Sequence, residues 1–327
     1  MNMLCVGLVV CDVILRPVPK DIMQMDSCSI DKPIYTVGGD AANVAITMQK
    51  LGVNTTLVGY LGKDSNGDFV HNYLADRGVS TDGLLRHPEA GTVVSYVVVE
   101  DSGERHFVAY DYLNHILCEK EITEISDDLL KSVDLVFLGS AMAMKGMDET
   151  GAVALFKKAH SLGKMTAADT SCNTVGKDSR YWQTLLEAML FETDIFVPSY
   201  DEAVMITGEK DLSKMRSAFS QYGIKYLVIK LGEKGCYITD FSNEQIIPAF
   251  KFSAIDTTGA GDAFVGGLLF GLSTGWSLES AAVFANATAG FNVTKVGATG
   301  GVPDFDTVYN FLIKNGNNAN QFPLGKH

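Results

Sequence analysis

The chain has 327 residues, of which 46% are hydrophobic and 20% are charged, and its formal net charge is −13. That length can bury a large core, and the apolar and charged fractions are ordinary for a globular protein. Nucleic acid is not expected as a partner, because phosphate backbones require a basic footprint that an acidic chain lacks.

The cysteines and the first residues indicate a cytoplasmic protein. The six cysteines are scattered without a CxxC pair, which is typical of reduced thiols in the cytosol, and the histidines show no metal-ligand spacing. The N-terminus lacks the basic and apolar regions of a signal peptide. Because no apolar run reaches about eighteen residues, we expect no membrane span.

Strands and helices alternate along most of the chain. The first strand is predicted over 4–10 and the first helix over 40–51, where apolar residues recur at helical spacing. The further predicted strands are 56–60, 135–138, 165–168, 194–197, 226–230, 235–239 and 245–247. The further predicted helices are 66–77, 149–162, 181–190, 201–207, 261–272, 278–293 and 305–313. This alternation predicts a doubly wound sheet with helices on both faces, and the last strands are expected to be partly antiparallel.

Two segments differ from this pattern. Residues 92–100 and 105–111 are rich in Val, Tyr and Phe and are separated by a turn, which predicts a β-hairpin inserted in the α/β chain. Such a hairpin would stand off the main domain, and a lid is its natural use, although an edge hairpin without function is the alternative. The tail 315–327 is polar and Asn-rich and is predicted to fray.

The segment 254–267 (AIDTTGAGDAFVGG) combines an apolar approach, a glycine turn and a helix-forming run. Free backbone N–H groups and the positive end of the helix dipole at Gly259–Gly261 favour an anion. Asp262 would be repelled by a bound phosphate unless it had a chemical task, such as removing a proton from an attacking hydroxyl group. The alternative is that Asp256, Thr257 or Asp262 only caps the helix. This segment alone leaves both interpretations open.

Other polar groups follow predicted strands, where ligands bind in doubly wound folds. They are Asp12, the helix opening 38–43 (GGDAAN), Asp169 and the segment 199–202 (SYDE). Each also has an ordinary structural interpretation as a turn former, a helix cap or a first-turn charge. The phosphate loop GxxxxGK[ST] is missing, and Phe264 stands where a dinucleotide fingerprint needs its third glycine, which disfavours a dehydrogenase.

Together these segments resemble the PfkB, or ribokinase-like, family of carbohydrate kinases across almost the whole chain. Four motifs carry the resemblance in the family's order: Asp12, then 38–43 (GGDAAN), 58–64 (VGYLGKD) and 256–262 (DTTGAGD). The resemblance implies a single ribokinase-like domain over 1–314, built as a three-layer α/β/α doubly wound sheet. A small β-sheet lid would come from segments near 12–37 and 91–112, in agreement with the predicted hairpin.

The resemblance also implies transfer of the γ-phosphoryl group of ATP to a hydroxymethyl group of a sugar or sugar-like substrate, with Mg²⁺ and, in some members, K⁺. Asp262 would be the general base, and the N–H groups of Gly259, Ala260 and Gly261 would form the anion hole. The residues implied to bind the sugar are Asp12, Gly38, Gly39, Asp40 and Asn43. The residues implied to lie near the nucleotide are Lys230, Gly232, Gly235 and Asn286. Glu202 would bind Mg²⁺, and Asp256 and Thr258 would bind the monovalent cation.

The chain departs from the family pattern at two positions. Ser199 replaces the asparagine of the Asn-x-x-Glu motif, although its glutamate is kept as Glu202. The segment 169–173 (DTSCN) lacks the arginine that many relatives carry after this strand. Loss of that planar fork disfavours a phosphosugar as the acceptor.

Two other functions remain open. A nucleoside kinase of the adenosine kinase type would need an aromatic slot beside Asp12, for which Tyr35, Tyr96, Phe107 and Tyr110 are the candidates. A non-catalytic sugar or nucleotide sensor would have no use for a base at position 262. Because a bare sheet edge on the lid invites pairing, a homodimer is also expected.

Overall fold

The computed structural model describes residues 1–171 and 177–323. Cys172 and Asn173, considered above, and the end of the tail, 324–327, lie outside the described residues. The strands are β1 (Asn2–Val6), β2 (Val10–Val18), β3 (Ile34–Gly38), β4 (Asn54–Gly62), β5 (Leu84–His87), β6 (Val94–Glu100), β7 (Arg105–Tyr110), β8 (Leu135–Ala141), β9 (Met165–Thr170), β10 (Ile195–Phe196), β11 (Tyr226–Lys230), β12 (Cys236–Thr239) and β13 (Glu244–Ile247). The α-helices are α1 (Asp40–Lys50), α2 (Ser65–Ala75), α3 (Glu119–Glu124), α4 (Asp127–Ser132), α5 (Ala152–Ser161), α6 (Ser179–Leu190), α7 (Tyr200–Thr207), α8 (Leu212–Phe219), α9 (Ala260–Ser273), α10 (Leu278–Asn292) and α11 (Phe305–Lys314).

The main sheet has the order β13-β12-β11-β10-β9-β8-β1-β4-β5. It is parallel from β5 to β11, and β12 and β13 join it as antiparallel strands, as predicted. Side chains of β1 alternate between its faces. Met3 and Cys5 enter a core with α1, α2 and α9–α11, whereas Leu4 and Val6 enter a second core with α3–α8. The doubly wound, three-layer α/β/α prediction is therefore confirmed.

A second, smaller sheet has the order β3-β2-β6-β7. Strands β6 and β7 pair antiparallel around the turn at 101–104, which confirms the predicted hairpin. Strand β2 lies parallel to β6 and antiparallel to β3. The small sheet therefore combines two segments that are far apart in the chain.

The predicted first strand, 4–10, is wrong in one respect, because it contains the end of one strand and the start of another. Strand β1 ends at Val6 in the main sheet, and β2 begins at Val10 in the small sheet. Gly7 lies between them with φ +149, and a Cβ atom there would be 2.6 Å from the Gly139 carbonyl oxygen. Both strands are buried, so the apolar run continues across the break and periodicity does not reveal it.

Several short elements escape prediction from the sequence. Strand β5 and helices α3, α4 and α8 were not predicted, whereas β2 and β3 fall in the lid segment near 12–37 that the resemblance implies. Helices α3 and α4 have six residues each, which is too short to show a helical period. The predicted helix 149–162 begins as a π-helical turn at Met147–Gly151 and continues as α5.

The tail is more ordered than its composition suggests. A 3₁₀ turn covers Ala319–Gln321, and Phe322 is buried with its ring 5.3 Å from that of Trp276. The indole Nε1 of Trp276 also donates to the Pro323 carbonyl oxygen at 2.8 Å. The prediction of a frayed tail is therefore wrong up to Pro323, because one aromatic residue among polar ones anchors the segment. Among the described residues, no helix is both long and apolar enough to cross a membrane.

Candidate active site

The segment 254–267 forms a loop followed by the start of α9. Gly259 is the N-cap with φ +70, and a Cβ atom there would lie 2.1 Å from the Ala298 carbonyl oxygen. Only glycine fits this left-handed, closely packed position. Glycine has no side chain with which to cap the helix, so the capping alternative does not hold for α9. Asp256 instead accepts hydrogen bonds from the backbone N–H groups of Thr258 and Gly297, each at 2.9 Å.

Asp262 lies in the first turn of α9 and meets α1 there. Its Oδ2 accepts a hydrogen bond from Asn43 Nδ2 at 2.8 Å, across 219 positions of sequence. Burial and the nearby carboxylate of Asp40 raise the pKa of Asp262 well above its ordinary value, although the bond from Asn43 opposes the shift. A carboxylate whose pKa is raised is a stronger base once ionised, which suits it to accept a proton.

Asn43 has one polar atom that lacks a partner. The residue is 4% exposed, and its Oδ1 accepts no hydrogen bond from any described residue. An unsatisfied buried acceptor costs about 1–3 kcal/mol, so such atoms in native structures are expected to serve a ligand or water. Because the amide Nδ2 is engaged by Asp262, Oδ1 is the atom that fits a hydroxyl donor.

Asp40 is the first residue of α1 and not its cap, since the N-cap is Gly39. Its Oδ2 accepts from Ser140 Oγ at 2.7 Å, which ties α1 to the carboxyl end of β8. Burial raises the pKa of Asp40, while the hydroxyl of Ser140 and the ammonium group of Lys230 oppose the shift. Asp40 is therefore a second carboxylate of the site, beside Asp262.

Asp12 reaches the same region from β2 of the small sheet. A Cβ atom on Gly38 would lie 2.1 Å from Asp12 Oδ2, so glycine at 38 provides the space for this carboxylate. Burial raises the pKa of Asp12 to about 7. Asp12 lines a cavity of about 310 Å³ between the small sheet and the loop before α9. The structure thus brings all five predicted sugar-binding residues to one region.

A buried ion pair lies at the carboxyl ends of β9 and β11. Lys230 Nζ donates to both carboxylate oxygens of Asp169, at 2.6 and 2.7 Å. Burial alone would lower the pKa of Lys230, but the carboxylates of Asp169, Glu202 and Asp262 outweigh it and raise the pKa. A Cβ atom on Gly261 would lie 3.6 Å from Nζ, so this cation is at the start of α9. The sequence placed Asp169 after a strand but predicted no partner for it.

Glu202 lies in the first turn of α7. Its Oε2 accepts from the backbone N–H of Ser199 at 2.8 Å and from the hydroxyls of Ser199 and Thr170, each at 2.7 Å. Ser199, where the family has asparagine, is thus the N-cap of α7 and holds the glutamate beside β9.

The remaining predicted nucleotide residues meet at the turn after β11. Gly232 begins the 3₁₀ turn Gly232–Lys234, and Gly235 follows it with φ +98. Asn286 of α10 donates from Nδ2 to the carbonyl oxygens of Ile247 and Pro248, at 3.2 and 3.3 Å. This amide group fixes the chain after β13, which favours a positioning role for Asn286 over direct contact with a base.

Arg105 of β7 crosses from the small sheet to the loop before α9, and sequence reasoning missed it. Its Nη1 donates to Asp256 Oδ1 at 2.6 Å and to Thr258 Oγ1, and its Nη2 donates to Thr257 Oγ1 at 3.2 Å. The side-chain oxygens predicted to hold a monovalent cation are therefore bonded to a guanidinium group. Nothing in the sequence near Arg105 points to a loop 151 positions away.

The aromatic residues considered for a nucleoside slot lie on two faces of the small sheet. Phe107 lines the cavity beside Asp12. The strand register and the alternation of side chains put Tyr35, Tyr96 and Tyr110 on the opposite face. An aromatic slot formed by all four residues is therefore wrong, since three of them face away from Asp12.

Comparison with known proteins agrees with this geometry. The family described as pfkB family carbohydrate kinase matches residues 2–304. Fructokinase-2 of Oryza sativa subsp. japonica is 30% identical over 292 residues, which cover 86% of this chain and 86% of the relative. A putative ribokinase II from E. coli, solved with ATP and Mg²⁺, has a TM-score of 0.82 at 20% identity and covers 96% of this chain and 99% of its own. Arabidopsis thaliana ribokinase, solved with ribose and ATP, has a TM-score of 0.80 at 24% identity and covers 95% and 98%. The chain therefore belongs to the pfkB family, and it is a carbohydrate kinase with the ribokinase-like fold.

Proposed function

We propose that this kinase transfers the γ-phosphoryl group of ATP to a hydroxymethyl group of an unphosphorylated sugar, with Asp262 as the general base. The observation that carries the proposal is the bond between Asn43 and Asp262, at 2.8 Å. This bond joins the first turn of α1, which follows Gly38 and Gly39, to the first turn of α9, whose start favours an anion. An acceptor hydroxyl bound by Asn43 Oδ1 thereby comes within reach of a base.

The proposed reaction needs one proton transfer and one phosphoryl transfer. Asp262 accepts the hydroxyl proton, the acceptor oxygen forms a bond to the γ-phosphorus, and the bond from that phosphorus to the β-phosphate oxygen breaks to release ADP. The backbone N–H groups at Gly259–Gly261 stabilise the charge that develops on the transferring group. Lys230 adds positive charge at the same helix start, which supports its assignment to the nucleotide phosphates.

The sugar would be held between the small sheet and α1. Asp12 accepts hydroxyl hydrogens, since an ionised carboxylate offers only acceptor sites. Asn43 Oδ1 supplies a further acceptor, and Gly38 and Gly39 let the backbone approach the sugar closely. The small sheet would act as a lid that excludes water from the reacting groups.

The donor set fits Mg²⁺. Four carboxylates lie near one another: those of Asp40, Asp169, Glu202 and Asp262. The positive charge of Lys230 opposes the rise in pKa of each of the three aspartates. Hard oxygen donors and excess negative charge suit a magnesium ion that is shared with phosphate oxygens. Glu202 and Asp169 would hold the ion, which would supply positive charge to the phosphates of ATP. The related E. coli protein solved with ATP and Mg²⁺ supports this proposal.

The acceptor is a sugar and not a nucleoside in this proposal. Many of the curated relatives are named fructokinases, and ribokinase is another named relative. Only Phe107 of the four aromatic candidates lines the cavity beside Asp12, which weakens the case for a nucleoside-base slot. The exposed outer face of the lid, with Tyr35 at 53%, Tyr96 at 44% and Tyr110 at 47% exposure, supports pairing of two lids in a homodimer.

The test is an ADP-release assay with ATP and Mg²⁺ against fructose, ribose, their phosphate esters and adenosine. We expect turnover with an unphosphorylated sugar and none above background with adenosine. Asp262→Asn, run against the same panel, gives the background of ATP hydrolysis. Turnover confined to adenosine would replace the proposal by a nucleoside kinase. Sugar binding by calorimetry without any ADP release would replace it by a sensor.

A further inference from the structure

The loop before the anion hole contains a charge pair with the small sheet. The side chains of Arg105 and Asp256 are 29% and 13% exposed, and their closest atoms are 2.6 Å apart. Burial would raise the pKa of Asp256, but hydrogen bonds from Gly297 and Thr258 and the charge of Arg105 hold it below the ordinary value. Both partners are therefore charged at neutral pH, because a guanidinium group stays protonated.

Two carbonyl oxygens at or beside this loop also accept hydrogen bonds. Asn292 of α10 donates from Nδ2 to the Thr258 carbonyl oxygen at 3.1 Å and to the Ala298 carbonyl oxygen at 3.0 Å. Asp256 Oδ2 accepts from the Gly297 backbone at 2.9 Å. Donors of the protein thus bond the side-chain oxygens of Asp256 and Thr258 and the carbonyl oxygen of Thr258, so a cation at this place would compete with them.

We propose that Arg105 is a positioning residue that replaces a monovalent cation beside the anion hole. The fork of the guanidinium group bonds three side-chain oxygens at 256–258, immediately before Gly259. The positive charge and the planar, fixed N–H donors of the guanidinium group suit it to hold these oxygens in place of a cation. The inference rests on the proposed anion hole and adds that this kinase needs no K⁺.

The position of Arg105 on the lid has a further consequence. Strand β7 is an edge strand of the small sheet, whereas 256–258 leads into α9 of the main domain. The bonds of Arg105 to the loop therefore join the small sheet to the main domain beside the cavity that both regions line, so the support of Gly259 depends on where the small sheet lies.

The first test uses the unmodified kinase. Its kcat and Tm are measured in KCl and in choline chloride at equal ionic strength. We expect both quantities to be the same in the two salts, because no cation site is left to fill. A strong activation of the wild-type enzyme by KCl, or a rise of its Tm with KCl alone, would overturn the proposal.

The second test removes the charge. In choline chloride, we expect Arg105→Ala to lower kcat by about 100-fold, the effect of a small misplacement of a catalytic group. KCl should restore most of this loss and raise the Tm of the variant, because an emptied site binds the cation in the folded state only. His106→Ala is the matched control, since it alters the next residue on the opposite face of β7, and it should behave as wild type in both salts.

Two outcomes separate this inference from the proposed function. If Asp262→Asn abolishes turnover while Arg105→Ala keeps wild-type kcat in choline chloride, the anion hole stands and the role of Arg105 is refuted. An Arg105→Ala loss that KCl does not restore also refutes the cation role, leaving a structural one. If Arg105→Ala does not fold, Arg105→Lys tests the same point. Its ammonium group should keep part of the activity in choline chloride, and a folded variant that is inactive there and gains nothing from KCl would contradict the proposal.

Discussion

Helices of this kinase differ in whether a side chain caps their first turn. Helices α1 and α9 have glycine N-caps, Gly39 and Gly259, and carry an aspartate in the first turn. Seven other helices begin with a side chain that accepts a hydrogen bond from the first turn: Asp64, Ser126, Asp178, Ser199, Asp211, Ser277 and Asp304. Helix α5 also follows a glycine, Gly151, but it continues directly from a π-helical turn. Side-chain caps satisfy backbone donors at the seven starts, whereas the uncapped starts of α1 and α9 meet at the candidate active site, where their donors can serve a ligand.

The largest loss of kcat is expected from substitution of Asp262, the aspartate in the first turn of α9. Asp262→Asn keeps the shape of the side chain but removes its basicity, so we expect kcat to fall by about 10³-fold, with ATP binding retained. Asp211→Asn is the control, because asparagine caps a helix about as well as aspartate. Steady-state kinetics and ATP titration check both variants, and an unchanged kcat for Asp262→Asn would remove the proposed base.

A methyl group at the α9 cap should have the next largest effect. Gly259→Ala places a Cβ atom 2.1 Å from the Ala298 carbonyl oxygen, so the loop must move and the anion hole with it. We expect a kcat loss of about 100-fold. Gly275→Ala is the matched control: its φ is also positive, at +84, but nothing lies within 4 Å of the added atom. If both variants lose activity equally, backbone strain and not the anion hole explains the result.

The pH profile tests whether the carboxylates in the first turns of α1 and α9, Asp40 and Asp262, interact electrostatically. Asp262 must be ionised to act as a base, so kcat/KM should fall about tenfold per pH unit below its raised pKa. Asp40 is one cause of that raised pKa. In Asp40→Asn the repulsion between the carboxylates is removed, the pKa of Asp262 falls, and the acid limb moves to lower pH. An acid limb that stays in place would show that the carboxylates do not interact.

The smallest effect is expected at a capped start. Asp304 accepts a hydrogen bond from the backbone of Thr307 at 2.9 Å. Asp304→Ala should lower the free energy of unfolding by about 1 kcal/mol and leave kcat unchanged. Urea denaturation and steady-state kinetics check the pair of outcomes. A change in kcat would mean that a capped helix start also contributes to catalysis, which would contradict the contrast between capped and uncapped starts.

Local signals allowed much of the fold to be predicted from the sequence. Helix α9 was predicted within about a residue at each end, because a glycine turn precedes a long apolar run. The passage from β1 to β2 was missed, since both strands are buried and their apolar residues run together. The tail was predicted to fray because its composition is polar, and the single anchor at Phe322 was overlooked.

In the candidate site, too, some features could be predicted from the sequence and others could not. The roles of Asp12, Asn43 and Asp262 came from the resemblance to a known family, because their places relative to a strand or helix also fitted ordinary structural interpretations. Their mutual contacts depend on tertiary packing: the Asn43–Asp262 bond spans 219 positions and the Arg105–Asp256 bond spans 151. No local pattern encodes such pairs, so the sequence suggested a cation at Asp256 where the fold supplies an arginine.

A double-mutant cycle between Asn43 and Asp262 tests most directly whether the two uncapped helix starts act as one catalytic unit. At saturating sugar, Asn43→Ala alone should lower kcat by about tenfold through loss of its bond to the base. Once Asp262→Asn has removed the base, adding Asn43→Ala should cost almost nothing further in kcat. A double variant that is slower than Asp262→Asn by the full Asn43→Ala factor would show that the two groups act independently, which would contradict the account.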